Sequence, residues 1–316
     1  MEVRSVRTPQ PALERQSTKV TMIGPETFPR EPGLMGIIGN PVRSSLSPAM
    51  HQAALRHLKL DACYQAFEIA PDQVRTVLRA LPLLGFRGIN VTIPYKEKVL
   101  PLLDEIDAEA GAIGAVNTIV VRQGRLLGYN TDAEGFRRAL EIAGRTALSG
   151  ARVLIVGAGG AARAVGFACL ARGCRSLLVA NRSGARARSL CRALRENFPA
   201  ADITALATGG ADWARRAGEC GVIVNTTPLG RKPGDPLPVP VAALRRGQTV
   251  MDIVYSPRRT PLLIAAQAAG AGTVDGLQML LHQGALAFTL WTGRDAPLAV
   301  MRRALVAAAS DAEKRT

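Results

Sequence analysis

The stretch VLIVGAGGAARAV, Val153 to Val165, decides the fold. Arg152 to Val156 is a short, apolar, β-branched run of the kind found in buried strands. Gly157, Gly159 and Ala162 follow it with the G-x-G-x-x-G/A spacing, and a helical pattern begins there. The first glycine makes a tight turn. The second lets backbone approach a pyrophosphate, and the third small residue lets the helix pack on the strand. The helix N-terminus then turns its exposed N–H groups toward phosphate. Alone, such a pattern is also met as a plain glycine turn. Here a second strand, Leu177 to Ala180, completes the βαβ unit, so the stretch reads as a dinucleotide site.

The segment after that second strand separates NAD from NADP. An NAD site usually carries an acidic residue there for the ribose 2′-hydroxyl. This chain has NRSGAR, Asn181 to Arg186, without a carboxylate. Arg182 and Arg186 match the geometry of a 2′-phosphate, so NADP is the expected cofactor. The plainer alternative is two more surface arginines in an arginine-rich chain.

Outward from this unit, strand-like runs end in ligand-friendly loops. Gly221 to Val224 leads into NTTPLG, Val250 to Val254 into Tyr255, and Thr273 and Val274 into Asp275 and Gly276. In open α/β sheets, ligands gather outside the carboxyl ends of strands. Upstream, Met35 to Gly39, Cys63 to Ile69 and Phe86 to Ile93 read as strands, separated by helices over Pro48 to Leu58 and Pro71 to Leu84. That βαβαβ order implies a parallel sheet. Val116 to Val121 and Arg125 to Tyr129 flank a Gln-Gly turn as a hairpin. Helical patterns follow over Ala133 to Ala143, Gly276 to Trp291 and Pro297 to Ala309. The expected fold class is α/β with two lobes: an N-terminal α/β substrate domain with a mainly parallel sheet, and a Rossmann-type NADP-binding domain. The boundaries expected are 1–33 for a loose, flexible extension, 34–132 for the substrate domain (completed by 275–316), and 133–274 for the NADP domain.

The first lobe carries the acid/base material. In GINVTIPYKEKV, Gly88 to Val99, Pro94 suits the first turn of a helix and Lys96 falls two residues further on. A lysine near the positive end of a helix is mildly disfavoured unless it has a task or an anionic partner. Asp132, in GYNTD at the exit of the hairpin, is the partner expected. A carboxylate beside a lysine orients the ammonium, which then exchanges a proton with a reacting hydroxyl. In GNPVRSSLSP, Ser45 and Ser47 lie two apart in an extended loop; Ser47 precedes Pro48 and also reads as an N-cap. Asn90, Thr92 and Asn117 stand at strand ends with Lys96. Such side chains suit a polyhydroxylated ligand, whose hydroxyls need both donors and acceptors.

Composition narrows the classes. The chain has 316 residues, 47% of them hydrophobic and 21% charged, which is ordinary for a folded protein of about two domains. No apolar run is long enough for a membrane span, and the N-terminus lacks a secretory pattern. Residues 1–33 hold five prolines. Five cysteines without CxxC spacing and three scattered histidines offer no disulfide framework and no metal site, and a reducing cytoplasm is expected. The net charge of +15 admits nucleic acid as a partner. But the arginines are dispersed and aromatics make up only 4%, too few for base stacking, so no nucleic-acid partner is expected.

In order along the chain, GNPVRSSLSP, GINVTIPYKE, GAVNTI, NTD, VGAGGAAR, NRS, NTTPLG, DIVYSPRRTPLL and DGLQMLLHQGA resemble the motifs of the shikimate dehydrogenase family, from Met35 to about Asp295. The resemblance implies NADP-dependent, reversible reduction of 3-dehydroshikimate to shikimate, in cytoplasmic aromatic amino acid biosynthesis, without a metal. It also implies a shikimate pocket of Ser45, Ser47, Asn90, Thr92, Lys96, Asn117, Asp132, Tyr255 and Gln283, with Lys96 and Asp132 catalytic. The implied NADP contacts are Gly157, Gly159, Gly160, Ala161, Asn181, Arg182, Arg186, Thr226, Gly276 and Met279. Gly276, Met279 and Gln283 are spaced i, i+3 and i+7, one helix face. The sequence leaves the oligomeric state open, with a homodimer as one candidate. Two departures stand out. Many members have histidine in place of Ser44 and methionine in place of Arg231, and the latter change is expected to alter the cofactor mouth or add an anion contact. The rival readings are a quinate/shikimate dehydrogenase using NAD, and a nucleotide- or nucleic-acid-binding protein on the same scaffold.

Overall fold

Two six-stranded sheets organise the chain in this computed structural model, which describes residues 33–210 and 212–314. The extension expected over residues 1–33 lies, apart from Gly33, outside the described residues. The first sheet begins with β1 (Gly33–Gly39), α1 (Ser47–His57), β2 (Ala62–Glu68), α2 (Val74–Ala80) and β3 (Phe86–Val91). The helical crossovers make β2, β1 and β3 parallel neighbours. Then come β4 (Glu105–Ile106), α3 (Ala108–Ile113), β5 (Thr118–Arg122) and β6 (Arg125–Tyr129), and the sheet order is β2-β1-β3-β5-β6-β4. Strand β5 runs antiparallel to β3 and to β6. Gln123 and Gly124 turn it back at φ 49° and 75°, as a tight two-residue hairpin turn demands.

Helix α4 (Asp132–Arg138), which continues as a π-helical turn over Ala139–Ala143, leads into the second sheet. Its elements are β7 (Arg152–Val156), α5 (Gly160–Ala171), β8 (Ser176–Asn181), α6 (Gly184–Asn197), β9 (Ile203–Ala207), α7 (Trp213–Gly218), β10 (Val222–Asn225), β11 (Thr249–Asp252), α8 (Pro261–Ala268) and β12 (Gly272–Val274). All its pairs are parallel, in the order β12-β11-β10-β7-β8-β9. This is the doubly wound arrangement of a dinucleotide-binding sheet, with its switch point between β7 and β10. Strand side chains alternate between faces. Val153 and Ile155 join one core with Phe136, Val165 and Leu190; Leu154 and Val156 join the opposite one with Trp213, Leu262 and Ala266. A strand covered on both faces has no polar side to show, hence the unbroken VLIV.

The chain then returns. Helices α9 (Gly276–Thr292) and α10 (Leu298–Glu313) pack on the first sheet, where Leu281, Phe288, Met301 and Leu305 share a core with Met35 and Tyr64. Trp291 Nε1 donates to the Ile119 carbonyl at 2.9 Å. Met279, on the same helix, belongs to the core of the second sheet. Helix α9 therefore has a foot in each lobe.

Several local expectations are corrected. No helix opens at Pro94; residues 93–99 form turns. Tertiary contacts override the proline signal. The Lys96 carbonyl accepts from Val116 N at 2.8 Å instead of from its own chain one turn on, and the buried Tyr95 hydroxyl donates to the Ile69 carbonyl at 2.6 Å. Ser47 is not the cap of α1. Leu46 holds that position, and the Ser45 hydroxyl accepts from Ser47 N at 3.3 Å. The helix expected from Pro71 starts at Val74, and α3 and β4 went unread between Val99 and Val116.

Candidate active site

The carboxyl ends of both sheets face one cavity, and the two lobes contribute to its wall. Lys96 enters from the turns after β3, and Asp132 from the first turn of α4. Lys96 Nζ donates to Asp132 Oδ2 at 2.6 Å, with the lysine side chain 17% exposed and the carboxylate 5%. The other oxygen, Asp132 Oδ1, accepts from Asn117 Nδ2 at 2.9 Å. Asn130 fixes this corner by accepting from Asp132 N at 3.0 Å and Ala133 N at 3.3 Å. The Asx turn it makes begins α4 and holds the carboxylate at the helix's positive end.

Asn117 is the hub. Its Oδ1 accepts from Thr131 N at 2.7 Å. Its amide nitrogen also faces Thr131 Oγ1 at 2.9 Å and Gln283 Oε1 at 3.3 Å. Asn90 is more committed than its place at a strand end suggested. Both its amide hydrogens are used, on the Asn117 carbonyl and Thr118 Oγ1, each at 3.1 Å, and its oxygen accepts from the Tyr64 hydroxyl at 2.7 Å. It braces the cavity floor and keeps one lone pair for a ligand. Burial holds the Tyr64 phenol well above the ordinary range, while neighbouring Ser47 pulls it back. Thr92, Ser45 and Tyr255 complete this part of the wall. Burial also raises the Tyr255 phenol, while the Arg231 guanidinium and a hydrogen bond with Ser45 pull it back.

Ala161 of the second lobe lines the same cavity, as do Gly276 and Met279 at the start of the shared helix α9. Gly157, Gly159, Gly160 and Thr226 gather at the β7/β10 switch point. Gly157 sits at φ +121°, and a Cβ there would run into Thr226 Oγ1. The Thr226 hydroxyl donates to the Val156 carbonyl at 2.8 Å. A Cβ on Gly159 would meet nothing within 4 Å, so its backbone borders open space at the start of α5. A Cβ on Gly160 would lie 2.9 Å from Lys96 Cβ, which brings the glycine turn directly against the lysine. Asn181, Arg182 and Arg186 do not line the cavity. They stand on the flank of the glycine turn, at the end of β8. Asn181 Nδ2 donates to the Ser183 carbonyl at 3.0 Å, which shapes that turn. Arg182 and Arg186 are exposed, and neither takes part in an ion pair among the described residues. A tight glycine turn, a helix N-terminus beside open space, two unpaired guanidinium groups and no carboxylate form a donor set that fits NADP.

Two contacts tie the lobes together around the cavity. Arg163 Nε pairs with Glu97 Oε2 at 3.0 Å, and Arg231 Nη2 donates to Ser44 Oγ at 2.7 Å. Residue-by-residue reading missed Tyr64, Thr118 and Thr131. Nothing local marks them, because their polar ends are used inside the wall. The signal for Asn130 was present in NTD, two residues before Asp132.

Family models match over residues 37–119 (Shikimate dehydrogenase substrate binding domain), 138–209 (Shikimate / quinate 5-dehydrogenase) and 276–306 (Shikimate 5'-dehydrogenase C-terminal domain). A shikimate dehydrogenase (NADP(+)) of Moorella thermoacetica is 47% identical over 275 residues, 86% of this chain and 92% of its own length. The solved shikimate 5-dehydrogenase of Thermus thermophilus, in complex with NADP(H) and shikimate, is 38% identical with a TM-score of 0.78; the match covers 87% of this chain and 99% of that one. A quinate dehydrogenase of Corynebacterium glutamicum in complex with NAD is 34% identical with a TM-score of 0.81, over 88% of this chain and 100% of that one.

Proposed function

This chain belongs to the shikimate dehydrogenase family, and we propose, from that membership and from its cleft, that Lys96 and Asp132 are the acid/base pair of the reaction. The enzyme is an NADP-dependent oxidoreductase that reduces 3-dehydroshikimate reversibly to shikimate. Bound NADPH would supply the hydride for reduction, and bound NADP+ would accept it in the reverse direction. Lys96 Nζ gives a proton to the C3 oxygen during reduction and takes it back during oxidation. Asp132 orients the ammonium and keeps it in the cavity. The 2.6 Å contact between the two, beside Ala161 of the second lobe and Gly276 and Met279 of helix α9, is the observation that supports these roles.

Ser45, Ser47, Asn90, Thr92, Asn117, Tyr255 and Gln283 hold the ring's oxygens, with Asn90 acting mainly through the floor it braces. Gly157, Gly159, Gly160, Ala161, Asn181, Thr226, Gly276 and Met279 receive the cofactor. Arg182 and Arg186 hold its 2′-phosphate, and Ser183, Gly184 and Ala185 place no carboxylate there to favour NAD. In domain terms, 34–132 with 275–316 bind the substrate and 133–274 bind NADP. Five free cysteines suit a reducing cytoplasm. Among the described residues no helix is long and apolar enough to cross a membrane. A homodimer belongs to this reading, and molar mass from light scattering tests it.

Purified protein is expected to form NADPH from shikimate, faster than NADH and faster than from quinate. Lys96→Ala should remove most turnover with much less change in substrate affinity. Equal collapse of both would assign Lys96 to binding and not to proton transfer. Salt-sensitive retention of DNA or RNA, without shikimate-dependent NADPH, would make the protein a binding module on this scaffold.

A further inference from the structure

Two chemically unlike groups of side chains line the cavity. Lys96 meets Asp132 at 2.6 Å, Asp132 meets Asn117 at 2.9 Å, and the Asn117 carbonyl accepts from Asn90 at 3.1 Å. Asn90 accepts from the Tyr64 hydroxyl at 2.7 Å, and Ser47 N donates to Ser45 Oγ at 3.3 Å, with Ser45, Ser47 and Tyr255 lining the same wall. In the first group Asp132 balances Lys96. It is the only acidic residue lining the cavity among those described. The second group comprises the hydroxyls of Ser44, Ser45 and Tyr255, together with the guanidinium of Arg231.

Arg231 comes from the second lobe, in the loop after β10. Its Nη2 donates to Ser44 Oγ at 2.7 Å, in the loop after β1. It takes part in no ion pair among the described residues, and its charge reaches the Tyr255 phenol. A guanidinium has five N–H donors in a planar fork that matches a carboxylate. One donor is on Ser44. An anionic ligand in this cavity lowers its energy by lying away from Asp132 and toward Arg231.

We infer that Arg231 receives the substrate's carboxylate and makes the enzyme prefer the acid to an uncharged form of the same ring. This inference rests on the shikimate reading above. The carboxylate end of the substrate is then held by a residue of the cofactor lobe, while its C3 oxygen lies against Lys96 of the substrate lobe. The Ser44 contact holds the guanidinium at the cavity rim before the substrate arrives.

The test compares shikimate with its methyl ester, with NADP saturating, in wild type and in Arg231→Met and Arg231→Lys. A charge-assisted contact at a partly exposed rim is worth about tenfold in binding. The acid-over-ester ratio of kcat/KM should therefore fall about tenfold in R231M, and R231K should recover part of it. If the ester turns over slowly, inhibition constants supply the same ratio. Wild-type KM for shikimate should rise with added potassium chloride, and that of R231M should not. An equal loss for acid and ester would overturn the inference and leave Arg231 as a tie between lobes through Ser44. An unchanged ratio would overturn it too. Wild type that makes no NADPH from shikimate would overturn the functional reading along with it, whereas a fully active wild type with an insensitive R231M overturns only the role of Arg231.

Discussion

Lys96 and Asp132 should behave as one unit, and a double-mutant cycle reads this directly. Positioned proton transfer is typically worth about 10²–10⁴ in rate, or roughly 2.7–5.4 kcal/mol of barrier. Lys96→Ala should lower kcat by that factor. Asp132→Asn is the more informative change because it keeps the shape. Asp132 accepts from Lys96 on Oδ2 and from Asn117 on Oδ1. Asparagine offers one acceptor, so its NH₂ must face either the ammonium or the Asn117 amide, donor against donor. Losing one charge-assisted contact of about 1.5–3 kcal/mol should lower kcat about 10- to 150-fold. Once the lysine is gone, its orienting partner has nothing left to orient. The double variant should then match K96A within about threefold, as residues acting together are strongly non-additive. The assay is NADPH formation at saturating shikimate and NADP, on protein shown to be folded by circular dichroism, since an unpaired buried charge is itself destabilising. Multiplicative losses in the double variant, or a D132N enzyme within twofold of wild type, would refute the pairing.

Arg182→Ala with Arg186→Ala should raise the KM for NADP about 10- to 100-fold while the KM for NAD moves less than threefold, measured at saturating shikimate. His51 and His282 are buried, neither finds a hydrogen-bond partner, and burial pushes them down from 6.5 to about 3 and about 4. The unfolded chain then binds more protons below pH 6.5, so stability is lost as pH falls from 6.5 toward 4, by up to about 2.7 kcal/mol per unit. Urea titrations across that range check the slope, and His51→Phe should roughly halve it.

Much of the fold was legible because its signals are local. Gly157 and Gly159 announce a backbone event within a few residues. VLIV announces a strand covered on both faces. The residues around the cavity were legible where side chains stand beside strand ends, as Thr92 and Asn117 do, or open the next helix, as Asp132 does. Other features needed the whole chain. Pro94 signals a helix, but the Lys96 carbonyl is claimed by Val116, twenty positions on, and the helix does not form. Ser47 carries a cap signature, and Ser45 makes the contact. Asn90 read as a ligand contact, yet most of its capacity goes to Tyr64, Thr118 and the Asn117 carbonyl. Ser44 and Arg231 were each visible as departures from the family pattern. No local rule says that two loops 187 positions apart touch.

Helix α9 sets a limit on how the two halves can move. Met279 is seated in the core beneath the nucleotide sheet, Leu281 in the core beneath the other, and Gln283 faces the pocket. Four residues of helix span about 6 Å at a rise of 1.5 Å each. That spacing is set by backbone hydrogen bonds within a single rod, so opening and shutting the cleft cannot stretch it. Any turning of the halves about this shared gauge would leave the spacing between Met279 and Gln283 unchanged.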